Sequence, residues 1–348
     1  MDETKRKRLI AEARVTAQLH HSSIVTVHEV LDITTVPSDW RTVGVRPGQC
    51  ALVMDYVEGQ QLDQALGSRS FSKKEILQLT QCILEALGEA HRHKAVHCDI
   101  KPANILLPNG QPVLIDFGLT AMVGIVLEQG AGTPTYMAPE QITGGTIDGR
   151  SDLFSVGVML YTMLTGRLPI IPGPGENLGL FLTRKLTQTP PALAALLKGI
   201  PQALNHVVMR ALAHKPADRF QSAGEMGEAL QKAINALEAQ EVLAQAQKVG
   251  PQNPELYLTL LKEATKLDST CGAGDLLATW YLDVHVAAYA MRNPSTAALA
   301  LNGLREYGHN LYPDYLREEG EVVLQLTPTH EKVNVLVYQD TCLVHTER

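Results

Sequence analysis

Nowhere in the 348 residues is there the run of about 18 apolar positions that a membrane-spanning helix needs. The longest greasy stretch, Leu153 to Leu164, is interrupted by Ser155 and Gly157. Cysteine is sparse. The five, at positions 50, 82, 98, 271 and 342, form no Cys-x-x-Cys pair, so neither a disulfide scaffold nor a zinc ribbon is supported, and a reducing cytoplasm is the expected setting. The charged start, Met1 to Arg8, is followed by no apolar segment of the kind an export signal carries. A basic excess is missing too. The formal charge is −7; residues 1–234 hold 22 Lys+Arg against 22 Asp+Glu, and residues 235–348 hold 8 against 15. Neither part has the positive footprint that nucleic-acid binding requires. Low-complexity tracts and fixed-period repeats are also absent. With 45% apolar and 19% charged residues, global disorder and coiled coil are excluded, and the length predicts about two domains.

What is present begins with alternating local patterns. Leu9, Ala13, Ala17 and His20 recur at helical spacing and predict a helix over Thr4 to His20. Ile24 to Val30 and Cys50 to Tyr56 read as strands, separated by a loop rich in proline and glycine. Ser72 to His93 predicts a long amphipathic helix, opened by Ser72 with Glu75 three residues on, the signature of a capping box. Ile105–Leu107 and Val113–Ile115, split by Pro108, Asn109 and Gly110, predict a hairpin. Beyond about residue 150 the pattern is nearly all helical.

The chemistry concentrates in three segments: Val96-His97-Cys98-Asp99-Ile100-Lys101-Pro102-Ala103-Asn104, then Ile115-Asp116-Phe117-Gly118, then Gly132-Thr133-Pro134-Thr135-Tyr136-Met137-Ala138-Pro139-Glu140. Two carboxylates, an amide oxygen and one cation can converge on a metal–phosphate group. Hard oxygen ligands suit Mg²⁺, which takes one or two carboxylates plus substrate phosphates.

Together these segments resemble the catalytic loop, the magnesium loop and the end of the activation segment of eukaryotic-type Ser/Thr protein kinases, in their bacterial style. The resemblance covers about residues 9–234, including Ser151-Asp152-Leu153-Phe154-Ser155-Val156-Gly157 and Arg219. It implies an α+β, protein-kinase-like fold with an incomplete N-lobe and a mainly helical C-lobe, residues 1–234, followed by a C-terminal mixed or helical module, residues 235–348. It implies transfer of the ATP γ-phosphate to Ser/Thr hydroxyls of protein substrates, with Mg²⁺. Asp99 would accept or orient the substrate proton, and Lys101 would neutralise charge on the transferred phosphate. Asn104 and Asp116 would ligate Mg²⁺. Met54 falls at the gatekeeper, Asp55 to Val57 at the hinge that meets adenine, and Leu106 beneath the base. Thr133 would bridge the catalytic loop to the substrate-docking segment; with Lys101 it indicates Ser/Thr rather than Tyr specificity. Glu140 and Arg219 would form a buried structural ion pair, Asp152 would accept hydrogen bonds from the catalytic-loop backbone, and His97 would pack rather than act as a base. His20-His21 read as a helix end and His91/His93 as a solvated face. Gly173, Gly175 and Gly179 read as a plain loop.

Two features depart from the family pattern. Family members carry a Gly-rich loop and an Ala-x-Lys strand ahead of a helical Glu, which here is Glu12; neither precedes it in this sequence. A misplaced start or truncated gene, a degenerate pseudokinase acting as an interaction module, and strands supplied by a partner are the three explanations. The second departure is Cys98, where the family often has an Arg that binds an activation-loop phosphate. Only Thr120 carries a hydroxyl between Phe117 and Gly132, so phosphate-gated activation is not expected.

Residues 235–348 resemble no nameable family. Ala236 to Val249 should continue the preceding helix until Pro251 and Pro254 interrupt it. Helices are predicted at Glu255–Leu267, Asp275–Met291 and Thr296–Tyr307, and strands at Glu321–Leu326 and Val333–Tyr338. By analogy, such a region would be a sensor or a docking domain for an unknown partner.

Overall fold

The computed structural model describes residues 17–33, 49–116, 134–313, 315–316, 335–339 and 342–347. The chain divides into two compact units, Met1–Ile234 and Asn235–Arg348.

In the first unit, strands β1 (Val27–Ile33) and β2 (Gln49–Met54) pair antiparallel from Val27↔Met54 to Ile33↔Gln49, with an irregularity between Val27 and Glu29. A second sheet has the order β3-β4-β5: β3 (Gln60–Gln61), β4 (Ile105–Leu107) and β5 (Val113–Leu114). The β4–β5 turn works because Asn109 and Gly110 take left-handed backbone, φ 52° and 82°, a region open to Gly and tolerated by Asn. Residues 17–20 form a turn and irregular backbone, so the predicted helix does not reach His20. The local reason is a competing turn: His21 Nδ1 accepts from Ser23 N, and Ile24 N donates to His21 O.

The remainder of the unit is helical: α1 (Leu62–Ser68), α2 (Lys73–Arg92), α3 (Pro139–Thr143), α4 (Gly149–Thr165), α5 (Leu178–Thr187), α6 (Leu193–Leu196) and α7 (Gln202–Ala211). Ser72 caps α2 by the expected box, its Oγ accepting from Glu75 N while Glu75 Oε2 accepts from Ser72 N. Helix α4 is the centre of the core. Every residue from Ser151 to Tyr161 is buried, and α2 and α7 pack against it. Gly157 permits that approach, since a Cβ there would sit 2.8 Å from Ala211 Cβ.

Helix α8 (Ala223–Val249) spans the division and ends at Gly250, φ 67°. In the second unit it is followed by α9 (Pro254–Leu267), α10 (Ala273–Ala290) and α11 (Pro294–Tyr307). Pro254 and Pro294 stand in the first turns of their helices, where a missing N–H costs nothing. Ala246, Tyr257, Leu261, Ala264, Ala273 and Leu277 form this unit's core. Tyr281 stacks on Tyr307 at 6.2 Å. Strands β6 (Val335–Gln339) and β7 (Cys342–Glu347) close an antiparallel hairpin. The predicted strand Glu321–Leu326 lies outside the described residues.

Candidate active site

The segment between α2 and β4 carries Asp99, Lys101 and Asn104, and a buried carboxylate holds it. Asp152 has no solvent exposure. Its Oδ2 accepts from His97 N at 2.9 Å, and its Oδ1 from Cys98 N at 2.7 Å. The His91 Nε2 is also 2.8 Å from Oδ2. A carboxylate meeting three donors is the arrangement in which burying a charge is tolerable. His91 is therefore part of this network rather than of a solvated face. It lies one helical turn beyond Leu87 and two beyond Leu84, on the buried side of α2, and Gly149 leaves room for its ring.

Cys98 takes left-handed backbone (φ 66°), which a non-glycine residue adopts at a cost of about 1 kcal/mol. The Asp152 bond to its amide and the Gln141 Nε2 bond to its carbonyl, at 2.8 Å, fix it there. The next residue is Asp99. Its Oδ2 accepts from Lys101 Nζ at 2.6 Å and from Asn104 Nδ2 at 2.9 Å, and Asn104 Nδ2 also reaches Asp99 O at 2.9 Å. Asp99, Lys101 and Asn104 thus meet in space. Both Asp99 and Lys101 are partly exposed, so their ion pair orients the carboxylate more than it stabilises the fold.

Ile115 ties this loop to Asp116. Ile115 N donates to Asn104 O at 3.1 Å, and Ile115 O lies 2.9 Å from His97 Nε2. His97 Nδ1 in turn accepts from Asp99 N at 3.3 Å. One ring nitrogen donates and the other accepts, so the imidazole is neutral. Burial pushes its pKa below the ordinary value, against the opposing pull of Asp152. His97 acts as a spacer between two loops. Asp116 follows at φ 62° and is exposed, with no hydrogen-bond partner among the described residues.

The donor set fits a hard divalent cation. Asn104 commits its Nδ2 twice to Asp99, leaving the amide oxygen for another partner, and Asp116 offers a carboxylate with no partner among the described residues. Among the described residues no group of three or more His, Cys, Asp or Glu could hold a metal ion by itself.

The other candidates are spread more widely. Met54 ends β2 and is 36% exposed. Asp55 is exposed, with His28 Nε2 2.6 Å from its Oδ1; that bond, helped by Thr26, holds the carboxyl below its usual range. Val57 and Leu106 are half-buried. Glu12 and Thr133 lie outside the described residues. Glu140 and Arg219 meet in a two-pronged pair at 2.7 and 2.8 Å, with Ser151 Oγ donating to Glu140 Oε1. Burial works against the Glu140 charge, but Arg219 and Ser151 outweigh it and leave the carboxyl below its ordinary range. Sequence reasoning missed Gln141, His91 and Lys185. Lys185 was readable only as a lysine sharing an apolar face with Phe181 and Leu182.

A sequence profile described as "Protein kinase domain" matches residues 1–232. The chain belongs to the protein kinase domain family. The relatives include bacterial proteins named as serine/threonine-protein kinases. Serine/threonine-protein kinase Pkn1 of Myxococcus xanthus is 34% identical over 255 residues, 70% of this chain and 34% of that protein. PknL of Mycobacterium tuberculosis is 32% identical over 262 residues, 72% of this chain and 61% of that one. The chain spans 33–38% of the length of the first curated relatives it matches. Among solved structures, the crystal structure of the Mycobacterium tuberculosis PknI kinase domain shares 28% identity, with a TM-score of 0.51 over 67% of this chain and 81% of that one. No helix among the described residues is long and apolar enough to cross a membrane.

Proposed function

We propose that this protein transfers the γ-phosphate of ATP to Ser or Thr hydroxyls of protein substrates. The observation that carries the reading is the Asp99 carboxylate, held between Lys101 Nζ and Asn104 Nδ2 on a loop anchored by buried Asp152. Catalysis in this chemistry is mainly positioning and electrostatic stabilisation. Asp99 orients the attacking hydroxyl and receives its proton. Lys101 faces the transferred phosphate. Asn104 and Asp116 would hold Mg²⁺, which when bound would neutralise phosphate charge. Adenine meets the backbone from Asp55 to Val57 beside Met54, above Leu106, and Thr133 links the catalytic loop to the peptide. The family membership supports ATP and Mg²⁺ as the reactants' partners. The proposal concerns the protein with a phosphate-covering loop and its lysine in place, since the 348 residues contain no Gly-x-Gly-x-x-Gly.

Paired variants of the full-length gene product test the division of roles. General-base help is worth about 10²–10⁴-fold. Asp99→Asn keeps shape and loses charge, so kcat should fall by about that factor at nearly constant ATP affinity. The Asp116→Asn defect should instead shrink as Mg²⁺ is raised. Near-normal turnover in Asp99→Asn, or the same magnesium response in both, would show the roles to be wrong. Phosphoamino-acid analysis should show phosphoserine and phosphothreonine. Predominant phosphotyrosine would contradict the reading drawn from Lys101 and Thr133. A protein that transfers no phosphate would instead be a non-catalytic interaction module.

A further inference from the structure

Lys185 on α5 is 5% exposed. Among the described residues no Asp or Glu lies within ion-pair distance of it. Its Nζ donates to Pro134 O at 2.9 Å and also to Thr135 O. The Phe154 ring centroid is 5.6 Å away. A buried ammonium without a counter-ion is unfavourable, and burial pulls this one from 10.5 down to about 7. A methionine would fill the same space at lower cost. What the amine adds is two donors aimed at two successive backbone carbonyls.

Those carbonyls belong to the segment that follows Thr133. Ser155 Oγ donates to Tyr136 O at 2.8 Å, and Gln141 Nε2 reaches Cys98 O, one residue before Asp99. Backbone 134–141 is therefore pinned to α5 at one end and to the catalytic loop at the other. We propose that Lys185 is a positioning residue for the phospho-acceptor peptide: through Pro134 and Thr135 it sets the backbone along which the peptide lies with its hydroxyl at Asp99. The proposal rests on the kinase reading above. It is not a pH switch, because a neutral amine keeps two N–H donors, one for each carbonyl.

The test is steady-state kinetics of the full-length gene product on a Ser/Thr peptide, comparing wild type, Lys185→Met and Lys185→Arg. Lys185→Met should raise the peptide KM by about tenfold while leaving kcat and the ATP KM within about twofold, and Lys185→Arg should recover most of the loss. Alongside, hydrogen exchange of amides 135–143 should accelerate in Lys185→Met while α4 stays protected. An unchanged peptide KM in an active enzyme overturns the proposal, as does unchanged exchange. A uniform loss in kcat and both KM values, with α4 also exposed, means Lys185 only supports the fold and equally overturns it. An inactive wild type overturns the kinase reading itself, which separates the two failures.

Discussion

Arg219 uses all five of its N–H donors: Nε to Ala213 O, one terminal nitrogen to Glu140 and Arg150 O, the other to Glu140 and His214 O. Lysine, with three donors and no planar fork, cannot reproduce that pattern. Arg219→Met leaves Glu140 buried without its cation, which should cost about 3–5 kcal/mol in urea unfolding; a loss below about 1 kcal/mol would show the pair to be dispensable. Lys185 gives a second residue-scale prediction, with the same sign in pH as a paired carboxylate but at alkaline rather than acid pH. Its native pKa of about 7 lies below the unfolded 10.5. The unfolded chain therefore holds more protons across that window, and stability contributed at this site rises with pH through it. Below about 7 both states are protonated and the full penalty is present. The unfolding free energy of wild type minus that of Lys185→Met should climb from pH 7 to 10 by about 1.4 kcal/mol per unit at most. A flat difference would mean the ammonium is not destabilised by its site.

Helix α2 owes its start to one local device, so Ser72→Ala should cost about 1 kcal/mol. Where α4 crosses α7 the limit is space. Gly157→Ala would place a methyl 2.8 Å from Ala211 Cβ, and thermal unfolding should show about 1–3 kcal/mol of lost stability. Elements of this local kind were legible in the sequence. The Ser72/Glu75 spacing, the Pro108-Asn109-Gly110 turn, and the three helices predicted in the second unit all form within about two residues of their predicted bounds. The neighbourhood of Asp99, Lys101 and Asn104 was legible for the same reason, since all three fall within one short loop. Strand β3 was not, because Gln60 and Gln61 carry no strand pattern and become a strand only by pairing with Leu106 and Leu107. His91 was misread as solvated and Lys185 escaped notice because their partners, Asp152 and Thr135, lie 61 and 50 residues away. Strand β7 was also missed; its partner β6 coincides with the predicted Val333–Tyr338 from Val335 to Tyr338.

At the scale of the molecule, nucleotide affinity depends on parts that act together. A polypeptide of these 348 residues has Asn104 and Asp116, the proposed metal ligands, but no Gly-x-Gly-x-x-Gly to cover phosphate. Isothermal titration with ATP and Mg²⁺ should give a Kd above about 1 mM, less than roughly 4 kcal/mol of binding; micromolar binding would show that other residues hold the phosphates. The division at Ile234 and Asn235 has a further consequence, electrophoretic in kind. Residues 1–234 carry balanced charge, whereas residues 235–348 carry the whole −7. As separate polypeptides, residues 1–234 should scarcely migrate in an electric field at pH 7 and residues 235–348 should run toward the anode. The near-neutral piece also exerts little long-range pull on a charged substrate, so peptide capture at the kinase unit should vary only weakly with ionic strength.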